Sequence, residues 1–510
     1  MHTLIDTGPF QPCPAPFNMA AYVLEAGLRT PDKTALQIVG LTTVEHWSYA
    51  ELTRAVRGIG TGLLRAGLKQ GDRVLLRLGN TVDFPLAYLG ALAVGLVPIP
   101  TSSQLTRAEI TGMAAQITPA AIIAASGVAC PEHPAPVIDE NTLRNWHDLP
   151  ACDWQMGDPD RLGYMIFTSG TSASPRVVKH AHRAVWARRM MWADWVGLCP
   201  QDRLLHAGAF NWTYTIGTGL MDPWAIGATA LIPAEGIAPM QLPLLLRRYE
   251  ATIFAAAPGV YRQMLKSPIL ALPNLRHGLS AGEKLPDVTR QAWMDATKTP
   301  IYEALGMSEV STFISTGPNH PTNSGISGYA QTGRRIAVLS PEGTPTKRGE
   351  AGILAVSDTD PGLFLGYDNA DDDTTSRFCN GWFLTGDTVT MEDDGAIRYL
   401  GRQDDMMNAG GYRVSPLEVE HAFGMLDGIL DSAAVELPLK TGVNVIGLFY
   451  VSPNGALPEP VLEAHAQATL ARYKQPRLYV HRQTLPKGAN NKLNRRALRT
   501  EWKDHNDHQT

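Results

Sequence analysis

The sequence predicts an α/β fold, with a large N-terminal domain of layered α/β sheets plus a β-rich subdomain and a small α+β C-terminal domain. Three observations lead to this prediction. Strand-like and helix-like segments alternate along the chain, which favours a layered domain with a mainly parallel sheet. A polar, glycine-containing connection follows residue 401. The 510 residues are also enough for more than one sizeable core, at roughly 150 residues per domain.

The first elements show this alternation. Apolar residues recur at helical spacing over 49–68, a strand is predicted over 73–78, and a second helix over 84–94. The segments 349–356 and 381–384 are richer in β-forming residues. Further short strands are predicted over 204–207, 228–232, 252–256 and 396–400.

The polar connection divides the sequence into a predicted N-terminal domain, 1–401, and a C-terminal domain, 402–510. The C-terminal part has strand and helix signals of its own. They predict a helix over 414–423, a strand over 444–451 and a second helix over 460–472.

Composition excludes several classes of protein. Hydrophobic residues make up 44% and charged residues 18%, as in ordinary globular proteins. A net charge of −5 argues against a general nucleic-acid binder. The five cysteines form no C-x-x-C pair, which argues against a zinc site or a disulfide framework and favours a reducing compartment. We see no signal peptide, and the longest apolar run, 87–100, is shorter than the ~20 residues that span a bilayer. These features predict a cytoplasmic protein without a membrane span.

A hydroxyl-rich loop is the most informative motif. An apolar strand-like run ends abruptly in Thr168, Ser169, Gly170, Thr171 and Ser172. Hydroxyls and glycine-permitted backbone N–H groups at a strand end suit phosphate binding. The Walker A pattern is absent. On composition alone, a flexible serine-rich loop explains the run equally well.

Five further positions carry groups that suit a nucleotide. Ser308 stands beside Glu309 after a predicted strand, a pairing that suits phosphate and Mg²⁺. Asp387 ends a tight turn and could accept hydrogen bonds from both hydroxyls of a ribose, and Arg402 stands at the domain boundary. Lys492 lies in a polar loop near the C-terminus. Each residue alone is more commonly structural, since isolated acids usually cap turns and isolated lysines are usually solvated.

In this order and spacing the motifs resemble the adenylate-forming superfamily, which comprises acyl-CoA synthetases, peptide-synthetase adenylation domains and luciferases. The resemblance runs over nearly the whole chain, from 31–36 to Lys492. It implies that a carboxylic acid attacks the α-phosphate of ATP to form an acyl-adenylate and pyrophosphate. A thiol, usually that of coenzyme A, then displaces AMP.

The resemblance also implies a role for each matching residue. Ser308 would contact the α-phosphate, Glu309 would hold Mg²⁺, and Lys492 would bridge the carboxylate and the α-phosphate during adenylation. Asp404 falls at the hinge about which a mobile small domain would rotate between the half-reactions. The remaining nucleotide contacts would be the loop from Thr168 to Ser172 with Arg176, the adenine-pocket residues Glu303, Ala304 and Leu305, and the ribose ligands Asp387 and Arg402.

Within the superfamily, the segments 212–224 and 473–477 resemble the branch of acetyl-CoA and medium-chain acyl-CoA synthetases. Acetate enzymes of that branch close the acyl pocket with a tryptophan at the position of Gly306, so a larger acid, medium-chain or aromatic, is expected here. Asn211 replaces the aspartate that amino-acid-activating domains use. The acyl pocket would be formed by Phe210, Trp212, Tyr214, Gly282, Gly306 and Met307. The coenzyme A contacts would be Gly410, Gly411, Tyr412, Arg413 and Arg477, although ordinary surface charge also explains the arginines.

The chain departs from the family pattern at three places. The phosphate loop usually reads T-G-x-P-K-G, whereas 172–177 lacks both glycines and has Arg176 in place of the lysine. Leu305 replaces a tyrosine that would stack on adenine, and Asn491 replaces the glycine before Lys492. These changes bear on rate and nucleotide preference more than on the class of reaction.

Other functions stay open at this point. Residues 278–282 match G-x-S-x-G, with Ser280 as the candidate nucleophile of a serine hydrolase. A non-catalytic nucleotide-binding relative and an enzyme that loads a carrier protein are two more alternatives. We expect an AMP-forming acyl-CoA synthetase that uses ATP, Mg²⁺ and coenzyme A with a small-molecule carboxylic acid, medium-chain or aromatic rather than acetate. No nucleic-acid partner is expected, and a homodimer is left open.

Overall fold

The protein is described by a computed structural model that covers residues 2–168, 175–321, 325–403, 405–409, 412–438, 444–487 and 493–507. The chain divides into two compact units. The large unit comprises Ile5–Ile336 and Val356–Phe383, and the small unit comprises Met1–Leu4, Ala337–Ala355 and Leu384–Thr510.

The strands of the described residues are, in chain order, β1 (Leu4–Asp6), β2 (Thr34–Val39), β3 (Val44–Ser48), β4 (Arg73–Arg77), β5 (Val97–Pro100), β6 (Ala121–Ala124), β7 (Val137–Asp139), β8 (Leu162–Thr168), β9 (Arg176–Ala181), β10 (Arg203–His206), β11 (Thr229–Pro233), β12 (Ile253–Ala256), β13 (His277–Ala281), β14 (Ile301–Met307), β15 (Ser311–Ser315), β16 (Tyr329–Ala330), β17 (Arg335–Leu339), β18 (Gly352–Ser357), β19 (Gly366–Tyr367), β20 (Phe378–Cys379), β21 (Trp382–Met391), β22 (Ile397–Arg402), β23 (Met407–Ala409), β24 (Tyr412–Val414), β25 (Asp431–Pro438), β26 (Asn444–Val451) and β27 (Leu478–Arg482).

The helices are α1 (Met19–Glu25), α2 (Tyr49–Arg65), α3 (Asp83–Ala93), α4 (Arg107–Ile117), α5 (Glu140–Asn145), α6 (Ala184–Ala187), α7 (Asp222–Ile226), α8 (Leu242–Arg248), α9 (Pro258–Met264), α10 (Asp287–Thr297), α11 (Asp371–Thr375), α12 (Pro416–Gly424), α13 (Glu459–Thr469) and α14 (Arg495–Asp507). Short 3₁₀ segments span Ala26–Arg29, Pro239–Gln241 and Arg472–Lys474, and π-helical segments span Trp192–Val196 and Thr215–Met221. Within the described residues, no helix combines the length and the apolar character needed to cross a membrane.

A nine-stranded sheet forms the centre of the large unit, in the order β16-β15-β14-β13-β12-β10-β11-β2-β3. The strands from β14 to β2 run parallel, and antiparallel strands flank them on both sides. Leu205 and Phe254 pack with Trp293 on one face, while Leu204 and Ile253 pack with other residues on the opposite face. Neighbouring residues of a strand point to opposite faces, so a sheet covered on both sides needs continuous apolar runs.

The parallel order decides where the functional loops lie. The carboxyl ends of β10, β12, β13 and β14 lie along one edge of the sheet, because these strands are consecutive neighbours with the same direction. Ligands of open α/β sheets bind outside the carboxyl ends of the strands. The loops that follow β10, β13 and β14 are those in which the sequence places its acyl-pocket and phosphate-binding residues.

A second, four-stranded parallel sheet has the order β5-β4-β6-β7. The predicted helix over 49–68 is α2, which begins with a capping box formed by Ser48 and Glu51. The predicted strand over 73–78 and the helix over 84–94 correspond to β4 and α3. The strand and helix alternation expected from the sequence is thus confirmed.

The small unit contains its own α+β arrangement. β25 and β26 are antiparallel, and β27 joins β26 in parallel. Apolar residues of α12 and α13, such as Phe423 and Leu462, pack against Leu448 of β26. Leu498 of α14 belongs to a second cluster, with Phe449. The predicted strand over 444–451 is β26, and the predicted helix over 460–472 ends earlier, with α13.

Candidate functional site

Gly306 lies where β14 meets the antiparallel strand β15. The register between these strands shifts between Leu305 and Gly306. A Cβ atom at position 306 would overlap the carbonyl oxygen of Ser311 and would lie 2.6 Å from the Cα atom of Thr312. The close approach of the two backbones therefore requires glycine here, besides any effect on pocket size. Met307, the last residue of β14, is half-buried.

Two of the predicted acyl-pocket residues after β10, Trp212 and Tyr214, lie beside the loop after β13, whereas Phe210 stacks on Phe84 in another cluster, with ring centroids 5.2 Å apart. Phe210 and Tyr214 are buried, and Trp212 is half-buried. Gly282 has a φ of +96°, and a Cβ atom there would lie 2.7 Å from Cζ2 of Trp212. The indole thus lies against the backbone at the carboxyl end of β13. Tyr214 donates a hydrogen bond to the carbonyl of Leu279 in β13 at 3.1 Å, which holds the two loops together.

Ser308 is positioned through its backbone. Nε2 of His180 lies 2.7 Å from the carbonyl oxygen of Ser308 and must be the donor, since a carbonyl only accepts. Burial lowers the pKa of His180 to about 4, so the imidazole is neutral near pH 7. Its ring stacks on Tyr164 with centroids 4.8 Å apart. These contacts connect β9 to the residue expected at the α-phosphate.

Glu309 is buried and has specific partners. Its Oε1 accepts a hydrogen bond from the hydroxyl of Tyr367 at 2.7 Å. Its carbonyl oxygen accepts the N–H of Phe364 at 2.8 Å. Burial, together with the neighbouring carboxylate, raises the pKa of Tyr367, which keeps this hydroxyl a donor.

The hydroxyl-rich loop joins two antiparallel strands. Thr168 and Arg176 face each other at the ends of β8 and β9. Arg176 forms an ion pair with Asp373 at 3.0 Å, and its guanidinium lies 5.2 Å from the ring centroid of Tyr367. The other predicted loop residues, Ser169, Gly170, Thr171 and Ser172, lie outside the described residues.

The three predicted adenine-pocket residues lie on β14. Ala304 is buried and Leu305 is half-buried. Glu303 is 3% exposed, and its carboxylate accepts hydrogen bonds from the backbone N–H of Leu285 at 3.0 Å and from Arg290 at 2.8 Å. This carboxylate therefore anchors the segment that follows β13, so only the backbone of Glu303 is left to line a ligand pocket.

In the small unit, Asp387 and Arg402 are register partners on β21 and β22. Nη1 of Arg402 lies 3.1 Å from Oδ1 of Asp387 and donates to the carbonyl of Thr385 at 2.9 Å. Gly386 has a φ of +76° but lies inside the continuous strand β21, so the tight turn predicted before Asp387 is wrong. The acid lies on a strand, because pairing with β22 extends through it. The structure thus brings together the two residues expected to hold a ribose.

The predicted coenzyme A residues are only partly described. Arg477 is exposed, and its backbone N–H donates to Ile446 at 2.8 Å. Tyr412 and Arg413 belong to β24, but their side chains are outside the description. The residues Gly410, Gly411, Asp404 and Lys492 lie outside the described residues.

The donor set of the described residues fits one mode of Mg²⁺ binding. Among them, no group of three or more His, Cys, Asp or Glu side chains could hold a metal ion by itself. Mg²⁺ in nucleotide sites is usually held by one or two carboxylates, substrate phosphates and waters. Glu309, a buried carboxylate at a strand end, fits that mode.

The family model described as AMP-binding enzyme matches residues 24–368. The chain belongs to the AMP-binding enzyme family. The predicted resemblance to adenylate-forming enzymes is therefore confirmed.

Individual members of this family align with most of the chain. The mitochondrial acyl-coenzyme A synthetase ACSM3 of Homo sapiens is 28% identical over 534 residues, covering 96% of this chain and 90% of the relative. The 4-hydroxybenzoate–CoA/benzoate–CoA ligase of Rhodopseudomonas palustris is 29% identical over 485 residues, covering 89% of this chain and 88% of the relative. Crystal structures of a benzoate CoA ligase from Burkholderia xenovorans LB400 match with a TM-score of 0.84 at 27% identity, covering 95% of this chain and 100% of that one. The predicted fold class is confirmed by this similarity.

Ser280 does not have the geometry of a hydrolase nucleophile. It lies inside β13 between β12 and β14 and is completely buried. Its hydroxyl makes no hydrogen bond with any described residue, so no described histidine is placed to activate it. A nucleophile elbow instead exposes its serine at a sharp strand-to-helix turn. In this AMP-binding enzyme, the G-x-S-x-G match at 278–282 therefore does not mark a hydrolase nucleophile.

Sequence reasoning missed two features of this AMP-binding enzyme. One is Tyr367, the partner of Glu309, which nothing in its local pattern distinguishes from an ordinary buried tyrosine. The other is the buried ion pair of Arg188 and Asp222, with Nη2–Oδ2 at 2.6 Å. Asp222 stands among apolar residues, and that signal could have identified it, whereas Arg188 has a second arginine beside it.

Proposed function

We propose that this chain is an ATP-dependent acyl-CoA synthetase. It activates a carboxylic acid as an acyl-adenylate, transfers the acyl group to coenzyme A, and releases AMP and pyrophosphate. The observation that carries the proposal is the arrangement at the carboxyl edge of the central sheet. There the ring of Trp212, in the loop after β10, lies against Gly282 after β13, and Ser308 and Glu309 follow the next strand, β14. The family and the names of the aligned relatives support the same reaction.

Each predicted residue has a defined task in this reaction. Ser308 hydrogen-bonds to the α-phosphate, and the loop from Thr168 holds the outer phosphates. Mg²⁺ held by Glu309 would offset phosphate charge during the attack by the acid. Phosphoryl-type transition states need positioning and charge compensation more than a protein nucleophile. Asp387 accepts hydrogen bonds from the ribose hydroxyls, with Arg402 beside it.

We also propose that residues 402–510 act as a domain that moves about Asp404 between the two half-reactions. Lys492 is carried by this domain and supplies its charge to the acid and the α-phosphate during adenylation. A lysine delivered only on closure limits wasteful hydrolysis of the adenylate. Gly410, Gly411, Tyr412, Arg413 and Arg477 belong to the same segment and are proposed to contact coenzyme A. The cytoplasmic location stays a prediction.

The proposed acid is larger than acetate, either medium-chain or aromatic. Gly306 has no side chain to close the acyl pocket, and Phe210, Trp212 and Tyr214 provide an apolar wall. Trp212 and Tyr214 are in edge contact with ring centroids 5.1 Å apart. Such a wall suits a flat or extended apolar acyl group.

The test is pyrophosphate release that depends on ATP, Mg²⁺ and coenzyme A, measured over a panel of acids. The panel runs from acetate to dodecanoate and includes benzoate and phenylacetate. We expect a larger acid to give pyrophosphate and an acyl-CoA thioester, with little response to acetate. Pyrophosphate without a thioester, together with transfer to a purified carrier protein, would contradict the coenzyme A assignment. No pyrophosphate release with any acid of the panel, together with intact ATP binding, would favour a non-catalytic relative.

A further inference from the structure

Tyr367 contacts two residues that are expected to bind the nucleotide and its metal, Arg176 and Glu309. Its hydroxyl donates to Oε1 of Glu309 at 2.7 Å. The ring of the same tyrosine contacts Arg176, whose guanidinium lies 5.2 Å from the ring centroid. Arg176 ends the hydroxyl-rich loop, and Glu309 follows β14. One aromatic side chain therefore contacts both segments.

The tyrosine is held in place by its own surroundings. It is 1% exposed and belongs to β19, whose residues pair with β9 directly after the loop. Its backbone N–H donates to Oγ1 of Thr374 at 2.9 Å. Its ring makes an edge contact with Phe364, with centroids 5.0 Å apart. A side chain fixed in this way directs its hydroxyl to a single place, which is the carboxylate of Glu309.

Arg176 is engaged on both sides of its guanidinium. Besides the ring of Tyr367, it pairs with Asp373 of α11 at 3.0 Å. Its charge is therefore partly compensated within the protein. Arginine stacks on aromatic rings more readily than lysine, because its guanidinium is planar and less strongly hydrated. The exchange of the family's usual lysine for Arg176 fits a role in holding the tyrosine ring.

We propose that Tyr367 is a positioning residue for Glu309, with Arg176 holding its ring from the other side. The hydrogen bond at Oε1 fixes the rotation of the carboxylate and so directs its second oxygen. The inference rests on the proposed function, in which Glu309 holds Mg²⁺. Partners that orient metal ligands typically change metal affinity or activity by ~10–100-fold when they are removed.

The test uses Tyr367→Phe in the full-length protein and measures ATP binding by calorimetry, once with saturating Mg²⁺ and once with EDTA. The readout is the ratio of the two dissociation constants, which reports how much the metal contributes to nucleotide affinity. We expect this ratio to fall by about 10-fold, while the affinity for ATP in EDTA stays that of the wild type. A merely structural role would weaken both affinities together.

Tyr249→Phe is the matched control. Tyr249 is also buried and donates its hydroxyl to a backbone carbonyl, that of Gly40 at 2.9 Å. Its removal should leave the ratio unchanged. A second control combines Tyr367→Phe with Glu309→Gln, because a residue that acts through Glu309 should add nothing once that carboxylate is gone.

An unchanged ratio in Tyr367→Phe would overturn the inference, and so would an additive effect in the double variant. If Tyr367→Phe does not fold, Arg176→Met tests the contact on the other side of the ring. An unchanged ratio of the two dissociation constants in Arg176→Met would equally overturn the inference. The acid panel is independent of this measurement. A wild-type protein that releases pyrophosphate, combined with an unchanged ratio, refutes only the positioning role. Magnesium-dependent ATP binding that Tyr367→Phe weakens, with no response to any acid, refutes only the proposed function.

Discussion

At the scale of single residues, Gly306 bears both on the size of the acyl pocket and on the pairing of β14 with β15, and the sequence alone indicates only the first. The absence of a tryptophan there predicts a roomy acyl pocket. The structure adds that the backbone of β15 occupies the space that a Cβ atom would need. A side chain at 306 would therefore disturb the pairing of β14 and β15 before it affected a substrate.

Replacing Gly306 with alanine should therefore destabilise the protein. We expect Gly306→Ala to lower the free energy of unfolding by about 1–3 kcal/mol, because the added methyl group meets backbone atoms. Urea denaturation gives the measurement. The matched control is Gly112→Ala in the exposed middle of α4, where no atom lies within 4 Å of the added Cβ. That change should stabilise by ~0.5–1 kcal/mol, and a Gly306→Ala protein as stable as wild type would refute the backbone argument.

At the scale of elements, a buried ion pair joins the end of α6 to the start of α7. Arg188 follows α6, and Asp222 is the first residue of α7. Nε and Nη2 of Arg188 contact the two carboxylate oxygens of Asp222 at 2.8 and 2.6 Å, and Nη2 also donates to Thr218. The π-helical segment Thr215–Met221 passes closely over the guanidinium at Gly217. The pair therefore supports the segment that follows the proposed acyl wall.

Breaking this pair on one side should be costly. Arg188→Met leaves the carboxylate of Asp222 buried without its partner, and we expect a loss of about 3–5 kcal/mol in the free energy of unfolding. Adding Asp222→Leu removes the orphaned charge and should recover part of that loss. Urea denaturation of the two single variants and the double variant checks this expectation. A double variant whose loss equals the sum of both single losses would show that the two residues act independently.

At the scale of the whole molecule, the proposed reaction divides between two half-reactions. Lys492→Ala should lower adenylation by a factor of ~10²–10³ through lost charge compensation. Thioester formation from supplied acyl-adenylate should largely persist. Asp404→Pro should impair thioester formation more than adenylation, because a rigid hinge hinders the rotation that precedes the second half-reaction. Measuring both half-reactions separately in each variant checks the assignment, and equal loss of both in either variant would contradict it.

Local patterns predicted much of the fold because they are set by neighbouring residues. The helical spacing of α2 and the β-forming run of β26 each depend on a few consecutive residues. The predicted end of the helix over 460–472 is wrong, because α13 ends at Thr469 and the chain then forms a short 3₁₀ turn, Arg472–Lys474. Leu470 there has an extended backbone, which sequence periodicity does not reveal.

The sequence by itself determined the family, the α/β class and the groups that suit a nucleotide and an acid, because ordered motifs at strand ends are local signals. Only the tertiary structure decided which side chains contact each other. The hydroxyl of Tyr367 reaches Glu309, and Arg188 reaches Asp222, across long separations in the chain. It also showed that the carboxylate of Glu303 is used within the protein. Such contacts depend on the order and direction of the strands, and no short stretch of sequence encodes them.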